Sequence, residues 1–173
     1  MKPIQNGDAA AEQKSLAQQP LLLVMPVKME LLPALKQKVA ELKVPELNAA
    51  LDTVGTVHST RFVILEDEQG QWAKLIVVAI FDGTVDAYIA AFARELRLAF
   101  NELFKAVADH PKLPVEENVQ AFIDYVKSHD VPSANGQSYR ANPGLTALDI
   151  WEAMSRDTAA PDLRRLSVTH ERD

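Results

Sequence analysis

The chain has 173 residues, of which 47% are hydrophobic and 24% are charged, and its formal net charge is -6. This composition is typical of one globular domain and excludes a wholly disordered or fibrous chain. The negative charge, with no cluster of lysine and arginine, argues against nucleic acid as a partner. The absence of cysteine excludes disulfides, thiolate nucleophiles and zinc–thiolate sites.

The two ends of the chain are polar and lack hydrophobic periodicity. Residues 1–20 have neither the apolar core of a signal peptide nor the arginine-rich pattern of a transit peptide. We therefore predict flexible tails at residues 1–20 and 157–173, with one folded domain at residues 21–156. No apolar run approaches the roughly 18 residues that span a bilayer. We expect no membrane association and a cytoplasmic location.

The first predicted element is a strand at residues 21–27, a short apolar run in which Pro26 is tolerable near the strand end. Apolar residues then recur at spacings of three and four over residues 31–42, which predicts an amphipathic helix. Pro45 interrupts this helix. The same spacing resumes at residues 47–54, so we expect the helix to continue after a kink or a break.

The middle of the chain predicts a hairpin followed by a long helix. Residues 57–65 and 72–81 are rich in β-branched and aromatic residues, and a polar connector with a central glycine joins them. The strongest helical periodicity covers residues 84–108, and Thr84 is suited to cap its first turn. A shorter helix is predicted at residues 119–129.

The last part of the chain predicts a loop at residues 130–136, a short strand at 137–141 and a helix at 146–154. The complete order is strand, helix, strand, strand, helix, helix, strand, helix. This order is typical of an α+β domain of the ferredoxin-like, split βαβ type with extra helices.

The second strand of the hairpin is apolar on both faces. Its apolar residues alternate, with Leu75, Val77, Ala79 and Phe81 on one face and Ile76, Val78 and Ile80 on the other. Helices cover only one face of a ferredoxin-like sheet, so an apolar second face needs a partner. We expect a homodimer packed sheet to sheet, and Val77 is the residue that we choose to test this interface. The alternative is that the helix at residues 146–154 covers the second face within one chain.

The hairpin and the start of the long helix resemble a known family. The residues that carry the resemblance are HSTRFVIL at 58–65, KLIVVAIFDG at 74–83 and DAYI at 86–89, and a weaker similarity extends through YRANP at 139–143. The chain resembles uncharacterised bacterial proteins of the dimeric α+β barrel, ferredoxin-like type. The resemblance implies a fold rather than an activity, because similar folds serve monooxygenases, haem peroxidases, chlorite dismutase-like enzymes and sensors.

His58 is the first candidate site residue. It opens the second strand and, by alternation, shares a face with Thr60 and Phe62. As a site residue it would be an axial ligand or a proton carrier, because imidazole titrates near neutrality. Alternatively, it is a strand-end histidine bonded to the backbone. No second histidine or carboxylate lies at metal-ligand spacing, so we predict no metal site.

Arg61 and Ser59 lie on the opposite face of the same strand. A guanidinium among apolar neighbours is costly to bury unless it meets an anion. We expect Arg61 to pair with Asp82, Glu66 or a carboxylate of the other subunit, or to anchor a small anionic ligand in the barrel. The predicted ligand-binding residues are thus His58, Ser59 and Arg61.

Other motifs carry little chemistry. The turn at residues 82–84 lacks the glycines and lysine of a phosphate loop. The neighbouring pairs at residues 109–110 and 129–130 each place histidine beside aspartate, but adjacent loop residues rarely face one site. Ser138 and Tyr139 have no evident base, and the aromatic stripe of the long helix is predicted to be core.

These observations predict an uncharacterised dimeric α+β barrel protein that is non-catalytic or binds a small ligand in the barrel. The alternative is a small oxidoreductase or monooxygenase of the same superfamily, either haem-dependent or cofactor-free. The sequence names no catalytic residue and leaves open whether the protein is an enzyme. We expect no cofactor, with haem as the alternative.

Overall fold

The computed structural model of this protein describes residues 16–42, 45–131, 139–140 and 142–156. Within them the chain forms a three-stranded antiparallel sheet and six α-helices, which confirms the predicted α+β class. Both predicted tails, except residues 16–20, and most of the strand predicted at 137–141 lie outside the described residues. No helix in the described ranges has the length and hydrophobicity needed to cross a membrane.

The sheet consists of β1 (Gln19–Pro26), β2 (Val57–Glu66) and β3 (Ala73–Phe81), in the order β1-β3-β2. β3 is antiparallel to both neighbours, and Val77 at its centre is level with Leu23 of β1 and Phe62 of β2. The predicted hairpin of β2 and β3 is confirmed. β1 begins two residues earlier than predicted, because Gln19 already pairs with Phe81.

The helices are α1 (Leu32–Glu41), α2 (Pro45–Val54), α3 (Val85–Glu95), α4 (Arg97–Lys105), α5 (Val119–His129) and α6 (Ala147–Arg156). Short 3-10 turns at Met29–Leu31 and Val115–Glu117 precede α1 and α5. Thr84 caps α3 as predicted, because its hydroxyl accepts a hydrogen bond from the Ala87 N–H at 3.3 Å.

The single helix predicted over residues 84–108 is wrong, because the chain forms α3 and α4 instead. Leu96 leaves the helical backbone between them, with φ -112° and ψ 19°. A straight helix of the predicted length would measure about 37 Å. The nine residues of β3, on which it packs, span only about 30 Å. The break keeps Phe92 and Phe100 in the core, with their ring centroids 5.6 Å apart.

The helices cover one face of the sheet, where the Leu75, Val77, Ala79 and Phe81 side chains are buried. The opposite face, here called the open sheet face, consists of Leu22, Val24, Val63, Leu65, Ile76, Val78 and Ile80, together with Ser59, Arg61 and Lys74. Val78 is 39% exposed and Leu65 is 47% exposed. The alternative in which α6 covers this face is wrong, since three large apolar side chains of α6 are exposed and do not pack on the sheet: Leu148, Trp151 and Met154.

Candidate functional site

Asp82 follows β3 directly and is a buried carboxylate, with 9% of its surface exposed. Its Oδ1 accepts hydrogen bonds from His58 Nε2 at 2.7 Å and from the Gln18 backbone N–H at 2.9 Å. Its Oδ2 accepts one from the Ala147 backbone N–H at 2.7 Å. A buried charge needs such partners in place of water. Asp82 therefore joins β2, the start of β1 and the start of α6 at one point.

The side chain of Gln18 holds the segment that precedes α6. Its Nε2 donates to the backbone carbonyls of Asn142 at 2.8 Å and Leu145 at 3.1 Å. Together with the bond from Ala147, these contacts bring the N-terminus of α6 to the Asp82 carboxylate. The positive end of the helix dipole stabilises a negative charge at this position.

A β-bulge at the start of β2 places His58 beside Asp82. Val57 pairs with Phe81 and Ser59 pairs with Ile80, so His58 is an extra residue outside the ladder. The predicted backbone-bonded histidine is therefore wrong, because its Nε2 meets a carboxylate. A carboxylate only accepts, so Nε2 carries the proton and Nδ1 of the neutral ring is an acceptor. Among the described residues, this Nδ1 has no hydrogen-bond partner.

A cleft of about 250 Å³ opens beside His58. Its walls include Asn48, Leu51 and Asp52 of α2, His58 and Ser59 of β2, and Trp151 of α6. The volume is below the roughly 300–1,000 Å³ of pockets that enclose drug-sized ligands. The cleft therefore favours a ligand smaller than a typical cofactor. In the described part of the chain, no group of three or more histidine, aspartate or glutamate side chains is placed to hold a metal ion.

Arg61 is exposed on the open sheet face and is level with Val78 of β3. The expected pairing of Arg61 with Asp82 or Glu66 is wrong. Asp82 binds His58, and Glu66 forms an ion pair with Lys36 at 2.7 Å. Among the described residues, Arg61 has neither an ion pair nor a hydrogen bond.

The structure divides the three predicted ligand-binding residues between two places. His58 and Ser59 border the cleft, whereas Arg61 lies further along β2 on the open sheet face. The predicted alternation holds from Ser59 onward, but the bulge interrupts it at His58. Neither the bulge nor the lack of a partner for Arg61 among the described residues was predicted, because both depend on distant segments of the chain.

A second histidine and carboxylate meet at the end of α5. His129 Nε2 lies 2.9 Å from Asp109 Oδ2, and its Nδ1 lies 2.9 Å from the Tyr125 carbonyl. The adjacent Asp130 instead accepts a hydrogen bond from the Leu22 N–H at 3.0 Å. Burial, with the Asp109 charge nearby, raises the pKa of the Tyr125 hydroxyl. Both nitrogens of His129 are engaged, so this cluster ties α5 to the chain after α4.

Asp82 was predicted as a turn residue and as a candidate partner of Arg61, but not as the carboxylate that binds His58, Gln18 and Ala147. One signal in the sequence could have identified it. A carboxylate that directly follows a strand with two apolar faces is expected to be buried and therefore to need hydrogen-bond donors. Comparisons with family models, curated proteins and solved structures gave no match to this chain. The resemblance to the dimeric α+β barrel family therefore stays a prediction.

Proposed function

We propose that this chain is the protomer of a homodimeric α+β barrel of ferredoxin-like topology, which binds a small anionic ligand between its two sheets. The open sheet face is the observation that carries the proposal. Apolar patches of this kind on a protein surface mark interaction sites. A second copy of the chain has an identical open sheet face. Packing the two faces together about a two-fold axis would remove both of them from water.

The sheet order also supports this topology. β1 and β2 run in the same direction with β3 between them, as in a split βαβ unit. At the outer edge of β1, the Val131 N–H donates to the Leu22 carbonyl at 2.8 Å. A fourth strand of a ferredoxin-like sheet would pair along this edge.

The charges on the open sheet face favour an anion as the ligand. Arg61 and Lys74 are the charged residues of this face, and it has no carboxylate among the described residues. An identical partner face adds only the same cations. A guanidinium enclosed between the sheets needs an anion, and its fork of N–H groups matches a carboxylate or a similar group.

Solution mass tests the dimer. We expect the wild-type protein to have a mass of about 38 kDa, twice the 19.1 kDa of one chain. Val78→Asp should give a folded monomer, because an unpaired charge in a desolvated interface costs roughly 3–5 kcal/mol. The measurement is light scattering after size-exclusion chromatography, with circular dichroism to verify folding.

Leu98→Asp is the matched control for the dimer test, because Leu98 lies on α4 and is 74% exposed. It should leave the mass unchanged. A wild-type monomer at micromolar concentration, or a Val78→Asp variant that stays dimeric, would contradict the proposed interface.

Replacing Arg61 by Met tests the ligand. Small carboxylates should raise the melting temperature of the wild-type protein and leave that of Arg61→Met unchanged. Without ligand, the variant should be as stable as the wild type, since Arg61 has no carboxylate partner among the described residues. Arg94→Met, on α3, is the control and should keep the response to carboxylates. A response that persists in Arg61→Met would remove this residue from the ligand site.

The contact between His58 and Asp82 favours a second candidate, a cofactor-free oxidoreductase or monooxygenase. A carboxylate that fixes one nitrogen leaves the other as a proton acceptor, which is the arrangement of a general base. Absorption spectra of the purified protein test the haem-dependent form of this alternative. A Soret band would favour the haem-dependent form over the cofactor-free one.

A further inference from the structure

The cleft beside His58 contains two groups that only accept hydrogen bonds, together with Asn48, Ser59 and Thr60, which can donate as well as accept. Asp52 supplies a carboxylate, and His58 supplies Nδ1 while its Nε2 is held by Asp82. Among the residues that the structure describes, no lysine or arginine borders the cleft. The cleft therefore favours a ligand that carries hydrogen-bond donors and positive charge.

Asp52 lies where a negative charge is unfavourable. It is in the last turn of α2, where the helix dipole is negative, and this turn has no basic residue. Among the described residues, its carboxylate has no ion-pair partner. Asn48 lies one turn earlier on the same helix face and borders the same cleft. A cation between these groups and His58 would offset the local negative potential.

Trp151 adds an aromatic wall to the cleft. The bond from Ala147 to Asp82 fixes the start of α6, and Trp151 follows one turn later, 54% exposed. The face of an indole ring attracts cations. An aromatic ring and an unpaired carboxylate on walls of one small cleft are complementary to an organic cation.

We propose that this cleft binds a small organic cation with N–H donors, of the alkylammonium or guanidinium class. The N–H groups donate to the Asp52 carboxylate and to His58 Nδ1, and the alkyl part contacts Trp151. The volume of about 250 Å³ limits the ligand to a few heavy atoms. The three contacting groups belong to one chain and lie outside the open sheet face, although Ser59 in the cleft wall also belongs to that face.

Trp151 fluorescence tests this site directly. The chain has two tryptophans, so Trp72→Phe leaves Trp151 as the only reporter. Titration with propylammonium should give a saturable change in fluorescence, and propanol should give none. Asp52→Asn in the same background should weaken binding about two- to fivefold, the range of a partly exposed ion pair. Asp124→Asn, on the exposed face of α5, is the matched control and should bind as the parent.

Equal responses to propylammonium and propanol, or unchanged affinity in Asp52→Asn, would overturn the proposal. The titration is repeated in the Val78→Asp background, where the cleft should still bind the cation. The mass measurement tests the dimer and the titration tests the cation site. A Val78→Asp monomer that still binds propylammonium would show that the cation site does not require the dimer.

Discussion

Val77→Asp should unfold the protein, whereas the same change at the adjacent Val78 should leave it folded. Val77 is 5% exposed and lies under the helices, so its replacement puts an unpaired charge in the core. We expect a loss of more than about 4–5 kcal/mol, the range reached by unpaired buried charges. That is a large part of the roughly 5–15 kcal/mol that stabilises a typical domain. Circular dichroism and urea denaturation measure the effect.

The structure corrects the choice of Val77 as the residue that tests the dimer interface. Val77 faces the helices and Val78 faces away from them, so only Val78 reports on a partner. A Val77→Asp variant that stays folded and becomes monomeric would show that the helix-covered face had been assigned to the wrong side of the sheet.

Asp82→Ala should have the second largest effect on stability. The change leaves His58 Nε2 and the N–H groups of Gln18 and Ala147 without their acceptor. A buried donor that loses its partner costs about 1–3 kcal/mol, and we expect a total loss of roughly 3–5 kcal/mol. Urea denaturation gives the free energy of unfolding. Limited proteolysis should also cut earlier near α6, which loses the bond that holds its N-terminus.

Two further variants give this prediction its controls. Asp124→Ala removes an exposed carboxylate of α5 and should change the free energy of unfolding by about 0.5 kcal/mol or less. Asp82→Asn should be intermediate, because its amide oxygen still accepts while its NH₂ group meets another donor. If Asp82→Ala were as stable as Asp124→Ala, the three contacts to Asp82 would not hold the fold together.

Most elements of the fold follow from patterns among neighbouring residues. Alternation over β2 and β3 and the spacing of apolar residues in α1, α2 and α5 predicted those elements, because each pattern reflects a repeat of two or about 3.6 residues. The break at Leu96 was not predictable in this way. The stripe continues on both sides of Leu96, so the pattern of apolar residues gives no sign of the break.

The candidate site also combines features that local patterns predict with features that depend on distant contacts. Local patterns predicted that β3 is apolar on both faces and that Thr84 begins a helix, but they did not predict the bulge that takes His58 out of the alternation of β2. Only the tertiary structure decided that Asp82 binds His58, 24 residues away, and Ala147, 65 residues away. Alternation and capping act between neighbours in the chain, whereas the partner of a buried carboxylate depends on which distant segments pack against it.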